Sequence, residues 1–196
     1  MKTLKDVTLI ATDGANPERT ARVMRHCERM FGFAASVLID TPKNYQDAMR
    51  CEIEELARHV HTSHALFISH DGWIINPQLW NDDWLQYDMI GAPWPSAWGT
   101  KHRVGNTGFC LRSKRFLEAT AAAIPLWAGQ NGDVFTCQVL NRPLTELGMK
   151  YAPVEVAAKF SWEHYIEEGD CGPACSFGFH GWVAGKTADQ YNRLLP

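Results

Sequence analysis

Residues 7–68 alternate twice between strand-like and helix-like patterns, and no other feature constrains the fold of this chain as much. Val7 to Thr12 is a β-rich run that stops at Asp13-Gly14. Asn16-Pro17-Glu18 then supplies a helix cap, a proline at the first helical position and an acid in the first turn. Ala21, Met24, Cys27 and Phe31 keep helical spacing, and Gly32 offers a stop. Ser36 to Asp40 predicts a second strand, Tyr45 to Val60 carries a second helical stripe, and Ala65 to Ile68 predicts a third strand. A β-α-β-α-β series calls for crossover helices and a parallel sheet. The expected fold is therefore α/β, a mostly parallel sheet flanked by helices with a small antiparallel portion, in a single domain over residues 1–196.

Beyond residue 76 the pattern loosens. Leu79, Trp80, Trp84 and Leu85 suggest a short helix, and Tyr87 to Ala92 a strand. Residues 92–106 hold two prolines, two tryptophans and two glycines, which predicts a long loop of the kind that often serves as a lid. Trp94 and Trp98 in that loop are expected to be hard to bury and able to stack on a sugar or a base, whereas Trp73, Trp80 and Trp84 are assigned to the core. Gly108 to Leu111 reads as a strand, Ser113 as the cap of a following helix, Asp133 as the start of another interrupted near Pro143, and Ala152 to Ala157 as a strand.

Length and composition exclude several classes. A chain of 196 residues can bury a substantial core. No run approaches the roughly 18 apolar residues of a membrane helix, and the apolar stretch near the start is too short for a signal peptide, so a cytoplasmic protein is expected. Six scattered cysteines predict reduced, mostly buried thiols. Cys171 and Cys175, in CGPAC, are the one close pair, with no second pair at zinc-site spacing. The net charge of −3 gives no general attraction to nucleic acid. Locally, residues 89–117 contain no acid but carry Lys101, Arg103, Arg112, Lys114 and Arg115, a run that is either a solvated face or a surface for phosphates.

In open α/β sheets, ligands bind outside the carboxyl ends of the strands. Asp13, Asp40 and Asp71 each follow a predicted strand and are expected to open on one crevice, although an acid there is also a good turn former.

The phrases HDGWIINPQLWNDDWLQYDMIGAPW, VGNTGFCLRSKRF, NGDVF, FSWE and FGFHG resemble, in order and spacing, a bacterial and viral family of glycosyltransferases long catalogued as a domain of unknown function. That family is similar to the nucleotide-sugar transferases of the GT-A fold, and the resemblance runs over roughly residues 5 to 182. It implies a GT-A-like domain that moves a sugar from a nucleotide-sugar donor to a hydroxyl acceptor, with inversion as the expected outcome. Ser69-His70-Asp71 stands where GT-A enzymes carry Asp-X-Asp, so only the last acid is kept. The resemblance assigns Asp71 and His180 to a shared Mn2+ or Mg2+ ion, since one carboxylate alone is a poor site for either. Their bland alternatives are a turn at Asp71-Gly72 and a histidine packed among aromatics.

Asp133 resembles the acid that activates the acceptor in inverting members of this fold, and it also stands where a helix needs a cap. Asn106 and Gly108, in a glycine-containing turn, would lie under the sugar, while Asp13 and His70 would help form the donor pocket. The acceptor is expected to be a glycan or a hydroxymethylated base in DNA. A non-catalytic sugar- or nucleotide-binding domain is the rival reading, suggested by the incomplete metal motif.

Overall fold

The computed structural model describes residues 2–168 and 172–181. Strand β1 (Lys2–Thr12) leads through helix α1 (Pro17–Met30) to β2 (Phe31–Ile39), then through α2 (Tyr45–His59) to β3 (His64–Ile68). These three strands pair in parallel in the order β2-β1-β3. A short β4 (Gly72–Ile74) leaves the sheet, and the chain returns as β5 (Met89–Ile90) and β6 (Phe109–Ser113). Strand β6 is antiparallel to β3 and to β5, completing the order β2-β1-β3-β6-β5. Helices α3 (Lys114–Ala122), α4 (Gly132–Val134), α5 (Asn141–Glu146) and α6 (Val154–Phe160) follow, then β7 (Ser161–Trp162) and β8 (Gly178–His180). Strands β4, β8 and β7 form a second, three-stranded sheet. The α/β architecture with a small antiparallel portion is as expected.

Side chains of the central strands alternate between two cores, as the period of 2 demands. Leu9, Ala11, Leu66 and Ile68 join α1, the α6 residues Ala157 and Phe160, and an aromatic group built from Trp80, Trp84 and Phe177. Ile10, Ala65 and Phe67 face α2 and α3, with Phe116 and Phe135. Both faces being covered explains why these strands read as unbroken apolar runs. Trp73, Trp80 and Trp84 are all core residues, and Ser113 caps α3 by accepting from the Phe116 N–H.

Several local expectations are corrected. Gly32 does not stop α1; the helix ends at Met30 and β2 begins at once, with extended Phe31 as its C-cap. Asn16 occupies the N-cap position without a side-chain cap bond. The short helix around Trp80 is two 3-10 turns, Pro77–Leu79 and Asp82–Gln86. Ala152 to Ala157 is not a strand: Pro153 caps helix α6, which buries Ala157 and Phe160 three positions apart on one face. Four cysteines are free thiols, but Cys175 is disulfide-bonded, against the expectation of reduced thiols throughout; Cys171 lies outside the described residues. Trp94 is 4% exposed and packs in the core, because the bridge Pro93–Val104 and the Trp94 N–H to Arg103 carbonyl bond fold the loop onto itself; Trp98 is 53% exposed. No helix among the described residues is long and apolar enough to cross a membrane.

Candidate functional site

A cleft of about 1010 Å³ opens where β1 and β3 end. Asp13 and the Ser69-His70-Asp71 turn border it from these strand ends. Asn106 and Gly108 enter from the loop before β6, Asp133 from α4, and His180 from the end of β8. Asp13, His70, Asp71, Asn106, Gly108, Asp133 and His180 thus line one cavity. Asp40 does not: it is exposed at the end of β2, outside the cleft lining. The neighbouring loop is covered there because the backbones of the two turns touch; a Cβ on Gly14 would lie 1.8 Å from the Thr41 carbonyl oxygen.

The centre of the cleft is a chain of hydrogen bonds. Ser69 Oγ donates to Asp71 Oδ1 at 2.7 Å, and the same oxygen lies 3.3 Å from His180 Nε2. These two residues are 109 positions apart in sequence. On the other side of the ring, His180 Nδ1 is 2.9 Å from Glu163 Oε1, and the second oxygen of Glu163 accepts from the Asn106 amide. Asn106 Oδ1 accepts from the Gly108 N–H at 2.9 Å. Burial alone would lower the His180 pKa, but the carboxylates on both sides outweigh it and raise it to about 10. The ring is therefore an imidazolium at neutral pH. Burial would likewise raise the Asp71 pKa, and His180 and Ser69 instead hold this carboxyl well below the usual carboxylate range.

Gly108 permits this packing. A Cβ there would fall 2.2 Å from His180 Nε2, so the ring can lie against the backbone only because the side chain is absent. Asn106 is 5% exposed, and its amide is spent on Glu163 and Gly108, so it braces the turn. Asp13 is also turned inward: Oδ1 accepts from the Ala15 and Asn16 N–H groups and Oδ2 from Thr20 Oγ1. This carboxylate fixes the turn that leads into α1. The exposed His70 ring lies 4.0 Å from Asp13, and its carbonyl accepts from Arg19 Nε at 2.8 Å.

Asp133 sits in the first turn of α4, after Asn131 in the N-cap position, and accepts from the Val134 N–H at 2.7 Å. It is not the N-cap itself. Burial and the nearby Glu163 charge raise its pKa, against the pull of that N–H. A π-helical segment, Phe135–Val139, follows directly, where Pro143 cannot donate to the Val139 carbonyl.

Two features escaped the sequence reading. Glu163 was visible in FSWE, but nothing local marks it as a partner of His180. Four of the five cations in residues 89–117 turn out to be paired within the protein. Arg112 is buried against Glu52, Arg115 binds Asp88, Arg103 binds Glu168 and Lys114 donates to the Ala57 carbonyl. That removes the basis for reading the run as a phosphate surface.

For a divalent ion, the Asp71–His180 pair offers one carboxylate and one imidazole. Among the described residues, no three His, Cys, Asp or Glu side chains gather as a metal cluster. Asp71 suits a hard cation, and His180 would have to release its Nε2 proton first, since metal ligands bind deprotonated. The acids on the cleft wall include Asp13, Asp71, Asp133 and Glu163, against Lys43 and His180. That excess of carboxylate fits a bound cation.

The family model described as "Protein of unknown function (DUF5672)" matches residues 33–180. No curated protein matches the chain. Among solved structures, a glycosyltransferase involved in the glycosylation of the major capsid of PBCV-1 superposes with a TM-score of 0.56 at 9% identity, covering 95% of this chain and 98% of that one. The galactosyltransferase LgtC, in complex with donor and acceptor sugar analogs, superposes with a TM-score of 0.55 at 10% identity, covering 96% of this chain and 95% of that one. The fold is thus the GT-A-like fold of these glycosyltransferases.

Proposed function

We propose that this chain, which belongs to the DUF5672 family of proteins of unknown function, is a glycosyltransferase that moves a sugar from a nucleotide-sugar donor to a hydroxyl acceptor. The observation that carries the reading is the meeting of Asp71 and His180 at 3.3 Å inside a cleft that also holds Asp133. A charged pair and a separate, half-buried carboxylate with a raised pKa are the parts that direct displacement at an anomeric carbon needs. One end must accommodate a leaving diphosphate, and the other must take the proton of the attacking hydroxyl.

Asp133 is the base in this reading, and a single displacement with its help inverts the anomeric centre. Its raised pKa makes it a better proton acceptor than an ordinary exposed carboxylate. Asp71, with His180 after loss of its Nε2 proton, would hold Mn2+ or Mg2+. When bound, such an ion neutralises the charge that develops on the leaving diphosphate. Asn106 and Gly108 shape the floor under the sugar, and Asp13 and His70 the wall at the β1 end. A glycan is favoured over DNA as acceptor, because an acid-lined cleft repels a polyanion.

Incubation with UDP-glucose, UDP-galactose and GDP-mannose in the presence of Mn2+ tests the reading. Slow donor hydrolysis that disappears in Asp71→Asn is expected. If no nucleotide-sugar is bound or hydrolysed while the protein is folded, the reading is wrong.

A further inference from the structure

Glu163 has no part in the mechanism above, although it is a buried acid in the cleft with both oxygens engaged. It follows the two-residue strand β7 and is 4% exposed. One of its oxygens is 2.9 Å from His180 Nδ1, and the other accepts from the Asn106 amide. His164 Nε2 lies 3.4 Å from that second oxygen, and the His164 ring meets the exposed Trp98 edge-on at 4.7 Å between centroids. A single carboxylate therefore joins the end of β8, the turn before β6 and the tip of the long loop. Burying a carboxylate is costly unless its oxygens are satisfied. Here each oxygen takes a donor from a different segment.

We infer that Glu163 is a positioning residue for sugar transfer, fixing the Asn106–Gly108 turn relative to the Asp71–His180 pair. This rests on the glycosyltransferase reading. The two groups it ties together lie, on that reading, under the sugar and at the diphosphate, so their spacing sets the line of displacement. Glutamine cannot take its place: an amide offers one acceptor oxygen, and its NH2 group would face a second donor.

Two measurements on the full chain test this. The first is proton NMR of protein carrying 15N-labelled histidine rings, without donor. A downfield, carboxylate-bound Nδ1–H signal is expected in the wild type, absent from His180→Ala and from Glu163→Gln. The second is a double-mutant cycle on hydrolysis and transfer, using Glu163→Gln, Asn106→Ala and the pair. Each single change should lower the rate by ~10²-fold, the loss that follows a misplacement of about 1 Å, and the pair should be no worse than either alone. Additive losses, or a wild type that is active but lacks the Nδ1–H signal, would overturn the positioning role and leave the transferase reading standing. A wild type that shows the signal but hydrolyses no donor overturns the transferase reading, and the positioning role with it. Should Glu163→Gln fail to fold, the wild-type signal and Asn106→Ala still decide the matter, because a rate unchanged in Asn106→Ala also overturns it.

Discussion

Gly108→Ala is the smallest change that should dismantle the centre of the cleft. The added Cβ would lie 2.2 Å from His180 Nε2, 2.4 Å from Cδ2 and 2.6 Å from Cε1, where ordinary contact begins at 3.4 Å. The ring must retreat by about 1.2 Å, the gap between the 2.2 Å and 3.4 Å just quoted. It is held at 3.3 Å by Asp71 on one side and at 2.9 Å by Glu163 on the other, so a retreat of that size breaks at least one of the two bonds. A hydrogen bond to a charged group contributes about 1.5–3 kcal/mol. Alanine recovers about 0.4–1 kcal/mol by restricting the unfolded chain. The net loss should be about 1–2 kcal/mol, which for a chain of this size lowers Tm by roughly 2–8 °C. Donor hydrolysis should fall much further, by ~10²-fold, because the displaced ring sits at the reacting end of the cleft. Thermal melting followed by circular dichroism, with the hydrolysis assay beside it, gives both numbers. If Gly108→Ala melts within a degree or so of the wild type and keeps its rate, the close packing of ring on backbone does not exist in solution.

Three further expectations follow from other groups. Asp133→Asn can still accept from the Val134 N–H, so Tm should hardly move while transfer falls by ~10²-fold or more; transfer at the wild-type rate would remove the base from the mechanism. His180 is raised to about 10 from an ordinary 6.5, so its stabilising contribution is complete below about pH 6.5 and is lost as pH climbs through about 10. The Tm gap between wild type and His180→Gln, measured with a chelator present, should therefore shrink across that window; a constant gap would show that the ring is not an imidazolium. Arg112→Met leaves Glu52 buried and unpaired, since both side chains are under a tenth exposed, and should cost ~3–5 kcal/mol. Pairing it with Glu52→Gln should restore most of that, and denaturant melts showing the double variant no more stable than the single would count against the buried ion pair.

The strands and helices of the first 68 residues were legible because their signals are local. A β-rich apolar run such as Leu9, Ile10 and Ala11, or a period of 3.6 in α1 and α2, is written in adjacent residues. It survives any tertiary arrangement that covers both faces of the sheet. The same locality misled at Ala152 to Ala157, where a β-rich composition lost to a proline cap and an apolar pair three apart. It misled again at Trp94, which the loop folds inward through the Pro93–Val104 bridge.

The sequence by itself also determined which chemical groups exist near strand ends and turns, and all the candidates except Asp40 line one cleft. What those groups do to one another was decided only by the tertiary structure. Asp13 and Asn106 read as ligand contacts, and the fold spends their polar atoms on backbone N–H groups and side chains of the protein itself. The five cations between residues 89 and 117 read as a surface, and the fold draws four of them into internal bonds. Glu163, visible in FSWE, carried no signal of its partner. Its role depends on β8 returning beside β4 to bring His180 within 2.9 Å, and no pattern of neighbouring residues encodes a distance between segments that only sheet pairing closes.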